Sequence, residues 1–162
     1  MDHLTIHRRN LPHWELGGAT YFITFRLTRD ASDSPLTVEE RGHIQRAILS
    51  MDGALWQVHM LTIMPDHVHI LATPCEQATG KSQPLSDILK RIKGRTAREI
   101  NLQRGRVGPF WQKESFDRIV RDDHEYNEKA QYILNNAIKA GLVEDGWEYD
   151  GFWCESSTET AG

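Results

Sequence analysis

Two apolar runs rich in β-branched residues, WQVHMLTIM (56–64) and HVHILATP (67–74), are separated only by Pro65 and Asp66. A connection this short makes the runs fold back on each other as neighbouring antiparallel strands. The hairpin predicts a sheet, and a sheet needs other elements to cover its apolar face. ATYFITFRLT (19–28) sets Tyr21, Ile23 and Phe25 opposite Phe22, Thr24 and Arg26, and reads as another strand. Thr37 with Glu40 three residues on is a capping-box pattern, opening a helix to about Ser50. From Leu85, LSDILKRIKGRTAREINLQ places Leu85, Ile88, Leu89 and Ile92 at helical spacing; Gly94 is a point for a bend, and Ile100 resumes the apolar side. Gly105 and Gly108-Pro109 end that helix, and FWQKESFDRIV (110–120) reads as a fourth strand. Asp122 or Asp123 can cap a last helix to about Ala140, stopped by Gly141.

The predicted order is β-α-β-β-α-β followed by a helix. This is an α+β chain with a ferredoxin-like antiparallel sheet, its helices packed on one face. A length of 162 residues suits one domain. We expect that domain over 1–150, with 151–162 an acidic, flexible tail. The polar first twenty residues, with His3, His7, Arg8 and Arg9, suit neither a secretory signal nor a membrane anchor, and no apolar run approaches bilayer length. A soluble, intracellular protein is expected. Cys75 and Cys154 share no metal-type spacing and make no disulfide framework, so no role is expected of them.

His67 and His69 lie two apart in a strand, so both rings project from one face while Val68 and Ile70 take the other. Two imidazoles can begin a metal site, but such a site also needs a third protein ligand and a substrate. The same pair also suits an ordinary polar sheet face. In AQYILNNAIKAGL, Tyr132 and Asn136 stand at i and i+4 on one helix face, where a phenol and a carboxamide could serve as nucleophile and oxygen ligand. Packing of the Tyr132 ring among Ile133, Leu134 and Ile138 is the alternative. A tyrosine titrates near 10 in water, so as a nucleophile it needs electrostatic help.

The net charge of -4 conceals a strong division: residues 81–106 carry a balance of +6, and 143–162 a balance of -6. A basic segment attracts phosphate whatever the charge elsewhere, although a solvated helix face also explains such a run.

Taken together, MPDHVHIL, YILNNAIKAGLV, the intervening LSDILKRIKGRTAREIN and FWQKESFDRIVRD, and the opening RRNLPHWELGGATYFITFRL resemble the single-tyrosine HUH transposases. Among these, the REP-associated tyrosine transposases are the closest subgroup. The resemblance spans about residues 8–143. It implies an enzyme that cuts and rejoins single-stranded DNA near hairpins with a divalent metal, Mg²⁺ or Mn²⁺, through a 5′-phosphotyrosyl intermediate. Carried onto this chain, Tyr132 is the nucleophile and His67 and His69 are metal ligands. Asn136 takes the position from which relatives offer a glutamine as third ligand. Tyr126 is the lesser candidate, because its i+4 neighbour is Ala130.

The partner implied is single-stranded or hairpin DNA, with a nucleoid-associated location in the cytoplasm. Lys90, Arg91, Lys93, Arg95 and Arg98 are the first choice for phosphate contacts. Arg8, Arg9 and His13, with Trp14, could add groove or stacking contacts, Trp14 being equally suited to packing at the sheet edge. Trp56 and Trp111 are expected to pack. Both a monomer and a homodimer fit. A catalytically silent hairpin-binding or regulatory protein, or a hydrolase in which water attacks, would use the same fold.

Overall fold

The computed structural model describes residues 18–155. The elements run β1 (Thr20–Arg26), α1 (Val38–Leu49), β2 (Trp56–Ile63), β3 (His67–Pro74), α2 (Leu85–Arg104), β4 (Phe116–Val120), α3 (Asp123–Lys139) and β5 (Phe152–Cys154). The hairpin forms as expected, with Met64 N–H donating to His67 O across Pro65-Asp66. The strands make one antiparallel sheet in the order β4-β1-β3-β2-β5, whose first four positions follow the ferredoxin-like plan.

The period of two along each strand, shifted in β2 by a bulge between Val58 and Met60, sorts side chains to two faces. Ile23, Phe25, Val58, Leu61, Val68 and Ile70 pack with Ile44 and Ile48 of α1 and Ile88 and Ile92 of α2. Phe22, Met60, Leu71 and Val120 turn the other way and are covered by Tyr126, Ala130 and Ile133 of α3. The helices therefore take both faces of the sheet, not one, because α3 has its own apolar stripe and the strands carry apolar residues on both sides. Trp56 and Trp111 are buried, as expected, and their indole N–H groups donate to Ile48 O and Thr96 Oγ1.

Capping follows the sequence signals. Thr37 Oγ1 accepts from Glu40 N–H, while Thr37 N–H donates to Glu40 Oε1. Asp122 caps α3 by accepting from Glu125 N–H, and Gly141, at φ +76°, follows its end. Gly94 causes no break: α2 is continuous from Leu85 to Arg104.

Two boundaries differ from expectation. The strand expected over 110–120 divides: Trp111 bridges Leu27, residues 113–115 leave the ladder, and β4 begins at Phe116. Lys93 draws that excursion onto α2, its Nζ donating to Gln112 O at 2.8 Å, Lys113 O at 3.3 Å and Ser115 Oγ at 3.0 Å. The expected tail boundary at 150 also falls inside the fold, because β5 adds a fifth strand to β2. Glu155, at its end, is buried, with its carboxylate accepting from His59 Nδ1 at 2.6 Å and Gln57 Nε2 at 3.2 Å. Those bonds compensate the desolvation of a carboxylate that composition alone placed in solvent.

Candidate active site

Strand register assembles the site. His69 on β3 stands opposite Thr24 on β1, and Arg26 stands opposite His67. All four side chains share the face that α3 covers. His69 is 2 % exposed. Its Nδ1 lies 2.7 Å from Thr24 Oγ1, while its buried Nε2 has no hydrogen-bond partner among the described residues. His67 Nδ1–H donates to Asp66 Oδ1 at 2.7 Å. The two imidazoles meet edge to face, with centroids 4.8 Å apart.

Burial, reinforced by the neighbouring charges of His67 and Arg26, pushes the His69 pKa down to about 3. His69 is therefore neutral at ordinary pH. A neutral imidazole with one nitrogen held and the other bare is the form that ligates a cation.

Helix α3 brings Tyr132 to this pair. The phenol ring sits 5.3 Å from the His69 ring and 5.9 Å from Phe22, while Phe22 stacks on His69 at 5.4 Å. Tyr132 is 44 % exposed and so does not fill the core as the packing alternative required. Tyr126, in contrast, is fully buried against His59.

The helix passes from the level of His59 to that of His69, which carries its later residues toward His67. Asn136 is buried one turn beyond Tyr132, and its neighbour Ala137 packs with Met64 at the hairpin end. Among the described residues, no group of three His, Cys, Asp or Glu side chains could hold a metal. The histidine pair supplies two nitrogens, so among the described residues a third side-chain donor would be an amide or a hydroxyl.

The remaining sequence candidates separate. Lys90, Arg91, Arg95 and Arg98 line a cavity of about 640 Å³ between α1 and α2, on the sheet face opposite the histidines. Lys93 points instead to the 112–115 loop, and burial lowers its pKa. Arg8, Arg9, His13 and Trp14 lie outside the described residues. Four residues near the histidines escaped sequence reasoning: Thr24, Asp66, Arg26 and Lys129, whose Nζ lies 5.0 Å from the Phe22 ring centre. The alternation of β1 places Thr24 and Arg26 on one face, but only the register with β3 sets them beside the histidines. Asp66, directly before His67, was the one legible clue.

A sheet presenting paired imidazoles to a tyrosine on a crossing helix is the plan expected of a tyrosine transposase. The family model described as "Transposase IS200 like" matches residues 39–136, more than half the chain, and the chain belongs to that family. The matched span includes His67, His69, Tyr132 and Asn136.

A Haemophilus influenzae protein named for the REP-associated tyrosine transposases is 26% identical over 142 residues, covering 83% of this chain and 80% of its own. An uncharacterized protein of the same organism is 24% identical over 116 residues, covering 61% of this chain and 60% of its own. A solved structure described as a REP-associated tyrosine transposase bound to a REP hairpin shares the fold. Its TM-score is 0.65 at 18% identity, covering 92% of this chain and 82% of that one. Among the described residues, no helix is long and apolar enough to cross a membrane.

Proposed function

We propose that this chain is a metal-dependent single-stranded DNA endonuclease and strand transferase acting at hairpin-flanked sites, with Tyr132 as nucleophile. The observation that carries the reading is the exposed Tyr132 ring against His69, whose bare Nε2 lies buried beside it. Family membership and the likeness to a hairpin-bound transposase support it.

In the reaction, Tyr132 Oη attacks the scissile phosphorus, the phosphorus–O3′ bond breaks, and the leaving oxygen takes up a proton as a 3′-hydroxyl. The phenolic proton passes to solvent, which reaches Tyr132 directly. One phosphodiester replaces another, so a DNA hydroxyl can reverse the attack and reseal the strand without a nucleotide cofactor. Arg26, exposed beside His67, offers positive charge to the phosphate oxygens.

The donor set fits a divalent cation, Mg²⁺ or Mn²⁺. Asp66 orients His67 through Nδ1, Thr24 does the same for His69, and both Nε2 atoms are left as ligands. Asn136 is the proposed third donor. Bound there, the cation would withdraw charge from the scissile phosphate. Thr24→Val is expected to weaken Mn²⁺ binding, measured by calorimetry, by about 10–100-fold. Unchanged affinity would remove Thr24 from the site.

Lys90, Arg91, Arg95 and Arg98 are proposed to hold the backbone of a hairpin stem, with Arg8, Arg9 and His13 adding further contacts. Because the basic face and the histidines lie on opposite sides of the sheet, the strand leaving the stem crosses a sheet edge.

Incubating the protein with Mg²⁺ or Mn²⁺ and end-labelled hairpin DNA from sequence flanking its gene, followed by a denaturing gel, tests the reading. A metal-dependent covalent adduct is expected. Hairpin binding with no adduct in either metal would indicate a silent binding protein, and cleavage without an adduct a hydrolase. Tyr132 faces His69 of its own chain, which supports a monomeric site. Mixing Tyr132→Phe with His67→Ala is accordingly expected to restore no activity, whereas recovery would show that two chains share each site.

A further inference from the structure

We propose that Phe116, at the start of edge strand β4, is a stacking platform for one unpaired base of the strand entering the site. This nucleotide subsite deepens the function proposed above and rests on it. Phe116 is 58 % exposed, the most exposed Phe, Tyr or Trp side chain among the described residues. An exposed phenyl ring on a strand that lies at the sheet edge among the described residues is a liability that edges normally avoid, which calls for a reason.

Its position supplies one. Phe116 stands opposite Thr24, and Thr24 stands opposite His69, so the three form one row across β4, β1 and β3. In-register neighbours project from the same face, and two strand spacings separate Phe116 from His69, roughly 10 Å. The ring therefore extends the face that carries Tyr132. Arg118, two residues further along β4, shares that face beside Phe22 with its Nη2 paired to Glu125 Oε2 at 2.7 Å, and Lys129 lies over Phe22 from α3. An aromatic face flanked by cations is the chemistry that receives a base and its phosphate.

Topology strengthens the assignment. Helix α2 lies along the β4 side of the sheet, because Lys93 grips the 112–115 excursion that leads directly into Phe116. Trp111 bridges Leu27, and Gln112 Nε2 donates to Leu27 O, so the start of β4 is pinned from both directions. A strand running from the basic face of α2 around the β4 edge to His69 would pass over Phe116. Asp117 and Arg118 place charges along that edge, which deters pairing with a second sheet.

The test is equilibrium binding, by fluorescence anisotropy without metal, of the flanking hairpin carrying single-stranded extensions. Each extension position is replaced in turn by an abasic site, and the adduct assay is run on the same DNA. Phe116→Ala is expected to weaken binding by about tenfold and Phe116→Trp to restore it, the size of one base stacked on a ring. At one position, the abasic substitution should weaken wild type equally and add nothing to Phe116→Ala, the coupling expected of two groups in contact.

Equal binding by wild type and Phe116→Ala overturns the subsite; an adduct formed on the same DNA would leave the strand-transfer reading intact. Abasic and Phe116→Ala losses that multiply at every position also overturn the subsite. No binding by wild type overturns both. A matched melting temperature for Phe116→Ala excludes misfolding as the cause of its loss.

Discussion

Tyr132→Phe is expected to abolish the covalent protein–DNA adduct while leaving hairpin binding within a few-fold of wild type. The substitution removes one oxygen and keeps the ring that packs edge-on against His69 and Phe22. The local packing therefore persists and only the nucleophile is lost. Loss of a nucleophile is not compensated by other groups, so the cleavage rate should fall on the order of 10⁴-fold or more. Tyr126→Phe should retain the adduct, because its ring is fully buried while Tyr132 is exposed. An adduct that survives in Tyr132→Phe and disappears in Tyr126→Phe would reverse the assignment.

Arg104→Met is expected to destabilise the fold by about 2–4 kcal/mol, a little under the roughly 3–5 kcal/mol for stranding one partner of a fully buried ion pair, because both side chains keep some exposure. Arg104 Nε donates to Glu40 Oε2 at 2.8 Å and Nη2 to Glu40 Oε1 at 2.9 Å. Its guanidinium also donates to Ala31 O and Ser34 O and lies over the Phe110 ring. Glu40 is 8 % exposed and cannot regain water when the arginine is removed. A fall in Tm on the order of 10 °C follows.

The pair also sets a pH dependence. The Arg104 hydrogen bonds, with smaller help from Thr37, hold the Glu40 carboxyl below its ordinary 4.5 against the opposing effect of burial. A lowered folded-state pKa stabilises the fold above the ordinary value and is lost as pH falls through the lowered one. The difference between wild type and Arg104→Met in urea should therefore be full at pH 7 and shrink below pH 4. A difference that stays constant across that range would assign the loss to packing on Phe110 instead.

Local rules carried much of the fold. The hairpin around Pro65-Asp66, the Thr37–Glu40 cap and the stop at Gly141 each involve residues close in sequence, where turn and capping geometry act directly. The histidine pair and the Tyr132–Asn136 spacing were legible for the same reason: a period of two or 3.6 tells which side chains share a face. The chain by itself thus indicated most of the elements and which of their residues share a face, although not β5 or the start of β4.

Tertiary structure decided which faces meet. No local pattern states that Thr24 stands beside His69, since register between β1 and β3 depends on packing both sheet faces at once. Composition counted Lys93 among the phosphate-binding cations, but the fold turns its ammonium onto three oxygens of the 112–115 loop. Composition likewise assigned Glu155 to a loose tail, where the fold buries it on His59. It also could not show that the basic helix and the histidines occupy opposite sides of one sheet. Charge is a property of the residue, whereas the direction of a side chain and its partner depend on contacts between segments far apart in the chain. That is why candidate residues for the site could be named from sequence, while the path proposed between them, over the edge that carries Phe116, depends on the folded sheet.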